Sequence, residues 1–179
     1  MGRAGSERHD GAHLPRRAPR HELAGLVPRR GDGTLPVSAV RFDLPEVDDF
    51  TRPYWEAAAD GALLLRHCAA CGRTHHYPRE FCPHCWAGED QVTWRPATGR
   101  ATLYTWSVVH RNDLPPFGAR VPYVAAVVDL AEGPRMMTEV VDCPESALRI
   151  GMPLQVAFRE LAEGLTAPVF RPAAAAGAR

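Results

Sequence analysis

Two Cys-x-x-Cys pairs, Cys68–Cys71 and Cys82–Cys85, stand ten residues apart in a chain with five cysteines in all. Four thiolates on two short turns can close tetrahedrally around one zinc ion, and such a site leaves no open position for substrate or water. The pattern therefore predicts one structural zinc in a zinc ribbon, and it points away from catalysis. Each two-residue gap lets the backbone curl until both sulfurs of a pair face one point. Gly72 follows the second cysteine, where the chain must turn and positive φ suits glycine, and Pro83 stiffens the second turn. Disulfides and a redox dithiol fit less well: no secretory signal is recognisable, and no βαβ pattern surrounds a single motif. Iron is the alternative metal. His75, His76 and His84 lie among the cysteines, but four thiolates make them unnecessary as ligands. They read as exposed ribbon side chains.

The 179 residues suffice for one domain or two small ones. No apolar stretch is long enough to span a bilayer, and a cytoplasmic location is expected. The formal net charge of zero hides a division: residues 1–45 carry eight Arg against five acids, the remainder thirteen Arg against sixteen. A slightly acidic folded part is a poor electrostatic match to nucleic acid. Residues 1–45 are rich in Arg, Pro, Gly and His without helical or strand periodicity, which predicts a disordered tail.

A helix is expected to begin near Phe50, with Thr51 as its cap, Pro53 in its first turn and Gly61 as its stop. Phe50, Tyr54 and Ala58 form a stripe at helical spacing, equally suited to packing on the ribbon and to docking on a partner. Leu63–Leu65 reads as a strand entering the ribbon, which occupies 66–88. Five strands are expected beyond it: 101–110, with Tyr104, Trp106 and Val108 on one face; 123–130; a hairpin partner at 136–141; the alternating Leu154, Val156 and Phe158; and a short one at Val169–Phe170. One or two helical turns at 144–150 precede the fourth. That order fits a small Greek-key barrel of the OB type. The expected organisation is mainly β: 1–45 as tail, 46–95 as helix plus ribbon, 96–171 as a five-stranded OB-fold barrel, and 172–179 as a frayed end.

In this order the motifs resemble the DUF35 family, whose members join a rubredoxin-like zinc ribbon to an OB-fold. The resemblance spans about 46–171. It rests on the Trp55-containing helix, Arg66-x-Cys68-x-x-Cys71-Gly72, Tyr77-Pro78-Arg79 and Cys82-Pro83-x-Cys85, then 99–104, 108–110, Pro122-Tyr123, 132–135 and 150–153. It implies a noncatalytic accessory subunit, a hetero-oligomer partner of a thiolase-like, ketosynthase-like or lipid-transfer-protein-like aldolase, with acyl-CoA as a shared ligand. Arg79, Arg111 and Arg135, with Tyr123 or Trp106 as a platform, are the candidate acyl-CoA contacts, since a CoA site wants guanidinium forks and an aromatic surface. Each also reads as a loop anchor or barrel filler. Cys143 is a packed thiol rather than a nucleophile, His110 a strand-end histidine, and no catalytic residue is assigned. The alternative is a single-stranded nucleic-acid-binding OB-fold, with Tyr104, Trp106 and Tyr123 stacking bases. Zinc is expected to be essential to the N-terminal module, which is too small for a core of its own.

Overall fold

The structure, a computed structural model, describes residues 44–174; the tail expected over 1–45 and the last five residues lie almost wholly outside it. Its first element is the helix α1 (Arg52–Ala59). The expected Thr51 cap is not made: its side chain forms no hydrogen bond to the first turn and turns back to Asp48 instead. Asp48 Oδ1 accepts from Thr51 N at 2.7 Å, while Thr51 Oγ1 accepts from Asp48 N at 3.2 Å. This is a reciprocal box three residues apart, of the kind that fixes a chain entering a helix. At the other end Gly61 adopts φ +79° and donates to Ala58 O, and Ala62 donates to Ala57 O, a Schellman closure. Tyr54 and Ala58 are buried, and α1 packs on the barrel and on the ribbon. The helical stripe thus serves the protein's own core.

Three strands make the ribbon sheet, β1 (Leu64–Cys68), β2 (Thr74–His75) and β3 (Val92–Pro96), in the order β2-β1-β3. Five more form a closed barrel: β4 (Arg100–Val109), β5 (Tyr123–Leu130), β6 (Arg135–Val140), β7 (Pro153–Ala162) and β8 (Leu165–Pro172), in the order β4-β5-β6-β8-β7. A 3-10 turn at Glu145–Ala147 precedes β7. The barrel closes through antiparallel β4–β7 pairing and a parallel bridge, Val140 to Phe170. Beyond β8, Ala173 N still donates to Pro153 O at 3.0 Å.

Strand β5 alternates without a fault, its even-numbered residues buried, as its β-branched and alanine content predicts. Strand β4 does not. The register with β5 shifts between Leu103 and Thr105, so Tyr104 is an extra residue. A bulge of this kind flips the inward phase beyond it. Ala101 and Leu103 point into the barrel before it, and Trp106 and Val108 pack on the core after it. Tyr104 is left exposed, so the expected Tyr104–Trp106–Val108 face does not exist.

The main core is continuous across both sheets. Leu63 and Leu65 from the ribbon side and Tyr54 from α1 join Leu103, Val128, Leu154 and Phe170 of the barrel in one cluster. At the junction Glu132 Oε1 accepts from Thr98 N at 2.7 Å and Thr98 Oγ1 at 2.8 Å, tying the β5–β6 turn to the linker. Buried Arg66 lies against the adjacent rings of Phe50 and Trp94, 5.2 and 4.9 Å from their centroids, and donates Nε to Arg79 O. No helix among the described residues is long and apolar enough to cross a membrane.

Candidate metal centre

Cys68 closes β1, and the chain turns back at once: Gly72 N donates to Cys68 O, and Cys68 N to Arg73 O, both at 2.9 Å. The second pair repeats this bond for bond. Trp86 N donates to Cys82 O, and Cys82 N to Ala87 O, again at 2.9 Å. Two equal knuckles thereby face each other. The four sulfurs lie within 4.8 Å of one another, with Cys68 to Cys85 and Cys71 to Cys82 both at 3.7 Å. A tetrahedron with metal–sulfur bonds of ~2.3 Å has edges of ~3.8 Å, which those two sulfur pairs match, so the donor set suits zinc. None of the five cysteines is in a disulfide.

Electrostatics favour thiolate formation at one corner. Burial raises the Cys82 thiol, but the N–H groups of Cys85 and His84, together with the Cys68 and Cys71 sulfurs, outweigh it and bring it to about 7. At Cys85 the Ala87 N–H favours the thiolate, while burial and the neighbouring sulfurs push the thiol up to about 12. A cation between the sulfurs relieves that mutual repulsion. Among the described residues this is the one cluster with metal-ligand spacing.

The histidines depart from the expectation of exposed side chains. His84 is exposed, but His75 is only 3% exposed and His76 is half-buried. Strand β2 turns His75 inward, and His76 lies beside Tyr54 and Tyr77. Burial holds the His76 imidazole down at about 4, helped by His75. Both histidines line a groove of about 530 Å³ between the ribbon and the β5–β6 turn, with Arg73, His84, Glu132 and Arg135. Glu132 Oε2, both ring nitrogens of His75 and His76 Nδ1 are buried there without a hydrogen-bond partner.

The four candidate ligand residues do not converge. Arg79 is exposed on the ribbon loop, where its carbonyl serves Arg66. Arg111 is exposed and paired with Asp113 at 3.1 Å. Tyr123, its hydroxyl held by Asn112 Nδ2 at 3.0 Å, opens β5, whereas Arg135 faces Asp129 near the far end of that strand, about 20 Å away. Arg135 is bonded to Asp129 at 2.7 Å and lies 3.5 Å over the Tyr104 ring. Of the four, Arg135 alone lines the groove. The three aromatics suggested for base stacking are equally scattered: Trp106 faces the core, Tyr104 carries Arg135, and Tyr123 lies under Arg120. Strand alternation could have found the outward Glu139, but its union with Arg120 and Arg159 depends on a loop and a strand that only the closed barrel brings together.

Residues 55–91 match the family described as "ChsH2, rubredoxin-like zinc ribbon domain", and 94–159 match "ChsH2, C-terminal OB-fold domain". A relative from Thermomonospora curvata, "Probable enoyl-CoA hydratase alpha subunit", is 38% identical over 86% of this chain, which spans about half of that relative, 47% of its length. A "DUF35 domain-containing scaffold protein" from Methanocaldococcus jannaschii is 35% identical over 56% of this chain and 70% of its own. Among solved structures, a chain of the "Ltp2-ChsH2(DUF35) aldolase" superposes with a TM-score of 0.64 at 36% identity, over 73% of this chain and 100% of that one. With both modules in the same order and the cysteine cluster inside the first, the chain belongs to the DUF35 family of zinc-ribbon and OB-fold proteins.

Proposed function

We propose that this chain is a noncatalytic accessory subunit that docks on a thiolase-like, ketosynthase-like or lipid-transfer-protein-like aldolase enzyme in a hetero-oligomer. The observation that carries the reading is the likeness to the whole of one chain of the "Ltp2-ChsH2(DUF35) aldolase". Cys68, Cys71, Cys82 and Cys85 hold one structural zinc, which fixes the two knuckles and takes no part in chemistry. The fifth cysteine, Cys143, has Pro144 O, at 3.7 Å, as its hydrogen-bond partner.

The surface that the knuckles present suits docking. Trp86 is 76% exposed and stacks on Phe81 with ring centroids 5.5 Å apart, and Tyr77 is also exposed on the ribbon. Aromatic side chains of this kind are common anchors at protein interfaces. As for acyl-CoA, geometry favours Arg135 over Arg79, Arg111 and Tyr123, because it stands in the groove with Arg73 and the histidines.

Mass spectrometry of proteins that co-purify with the tagged chain from its own host tests the proposal. A thiolase-, ketosynthase- or aldolase-like protein in stoichiometric amount is expected. A chain that emerges alone, or with nucleic acid, overturns it. In the purified complex, Arg135→Gln is expected to raise KM for the acyl-CoA several-fold and leave kcat in place; an unchanged KM removes the acyl-CoA contact and leaves the subunit reading standing.

A further inference from the structure

At the end of the barrel opposite the ribbon groove, three elements bring charges together. Glu139, on the outward face of β6, lies between Arg120 from the β4–β5 connection and Arg159 from β7. Glu139 Oε1 accepts from Arg159 Nη1 at 2.6 Å, and Oε2 accepts from Arg120 Nη2. The Arg120 and Arg159 side chains are 29% and 31% exposed and that of Glu139 17%. Burial opposes ionisation of Glu139, but the two arginines outweigh it and hold the carboxyl below its ordinary range. The carboxylate is therefore charged at neutral pH, and the cluster carries two positive charges against one negative. A surplus cation in a half-buried place is a standing attraction for an anion.

The surroundings make a cavity of this attraction. A space of about 270 Å³ is bounded by the triad and by Phe117, Tyr123, Ala125, Pro168 and Val169. Its walls are mainly apolar, with few convergent polar groups, the usual make-up of a small-molecule site. Arg120 is braced in advance: its guanidinium lies 5.8 Å from the Phe117 ring and 5.7 Å from the Tyr123 ring, and Asn112 fixes the Tyr123 hydroxyl. Each guanidinium gives Glu139 one of its five N–H donors, so planar pairs of donors remain for a second acceptor.

We propose that this cavity is a binding site for a short-chain monocarboxylate, its carboxylate held by Arg120 and Arg159 and its alkyl group against Phe117, Pro168 and Val169. Charge selects the class: a monoanion neutralises the net single positive charge, whereas a phosphate dianion inverts it beside Glu139. A carboxylate also matches a guanidinium edge in two parallel hydrogen bonds, a fit that phosphate shares, so charge is what separates the two. The site is independent of the subunit reading and far from the metal.

Titration of the zinc-loaded full chain with sodium butyrate, followed by amide NMR and calorimetry, is the test, with butyramide and inorganic phosphate as controls. Saturable butyrate binding is expected, with shifts centred on Arg120, Tyr123 and Arg159 and affinity at least tenfold above that of butyramide. Arg159→Gln is expected to weaken it tenfold or more, Arg159→Lys less, and Glu139→Gln to tighten it several-fold, with near-UV circular dichroism checking that each variant folds. Glu139→Gln also serves if loss of an arginine unfolds the barrel end, since it adds net positive charge while keeping the shape. Equal shifts with butyrate and butyramide, stronger binding of phosphate, or an unaffected Arg159→Gln variant would each overturn the proposal.

Discussion

Gly72 and Trp86 hold the same place in the two knuckles, four residues after the first cysteine of each pair, and both are left-handed, with φ of +70° and +65°. Glycine adopts that conformation freely, whereas a tryptophan there costs about 1–2 kcal/mol. The knuckle imposes the angle, and an exposed indole carries the strain. Gly72→Ala has open space around its new Cβ, so its penalty is purely conformational; a loss of about 1 kcal/mol in chemical denaturation is expected. Trp86→Gly is expected to behave otherwise. Relief of strain offsets the lost stacking on Phe81, so stability and zinc content stay within about 1 kcal/mol and one ion per chain, while partner co-purification falls. Equal co-purification by Trp86→Gly and parent would exclude that indole as the anchor. His76 permits a pH prediction. Its folded value, about 4, lies below the ordinary 6.5 because burial disfavours the charge. Above pH 6.5 both states are neutral and the group contributes nothing. Between 6.5 and about 4 the unfolded chain takes up a proton that the folded chain refuses, so stability falls, by at most about 3 kcal/mol. His76→Phe is expected to flatten that part of the stability profile; part of the slope persists, since burial lowers His75 in the same direction.

Among the elements, the strongest constraints lie at junctions. Gly99 joins ribbon to barrel at φ +73°, and an added Cβ would stand 2.4 Å from Val156 Cγ1 and 2.7 Å from Gln155 Nε2. Gly99→Ala therefore combines overpacking with strain and is expected to cost about 2–4 kcal/mol in urea unfolding, far more than Gly72→Ala. At the entrance to α1, Asp48→Ala removes the carboxylate that accepts from Thr51 N and leaves only the backbone half of the reciprocal box, and is expected to cost about 1 kcal/mol. These junctions also mark how far the sequence could be read. Strand β5 was legible to the residue because its apolar alternation has no interruption. The bulge in β4 was not, since nothing in Leu103-Tyr104-Thr105 distinguishes an inserted residue from a paired one. Strand β3 escaped notice because Val92-Thr93-Trp94-Arg95-Pro96 is short, with only two apolar strand formers, and ends in proline. Strand β8 was read as two residues for a related reason: Pro168 and Pro172 demote it locally, yet it pairs with β6 at a single bridge and so leaves backbone positions where proline is tolerated. The cysteine knuckles needed no tertiary information, because their geometry is set within six residues each.

At the scale of the whole molecule, the question is what zinc holds together. Size alone suggests that the N-terminal module cannot stand without metal, yet the packing divides it differently. Leu63 and Leu65, next to and within β1, belong to the same buried cluster as Leu103, Leu154 and Phe170, whereas Cys68, Cys82 and Val92 form a separate small one. The ribbon sheet thus has two supports. Its outer face depends on the metal; its inner face, with α1 and the cluster of Arg66, Phe50 and Trp94, depends on the barrel. Removing zinc withdraws what closes the knuckles but exposes little of the larger core, so the loss should be local rather than global. Hydrogen exchange with and without a strong chelator distinguishes these. Amides at 69–91 are expected to lose protection, while β5, β7 and the Leu65 end of β1 keep most of theirs. Cys68→Ser should reproduce the chelated pattern, with no zinc retained and a lowered but still cooperative melting transition of the barrel. Uniform loss over 100–172 would mean that the metal supports the entire fold and that the shared core is too weak to stand alone. Local loss gives zinc a narrower role: it sets the angle at which Phe81 and Trp86 are presented, and a chelated chain should lose its partner before it loses its barrel.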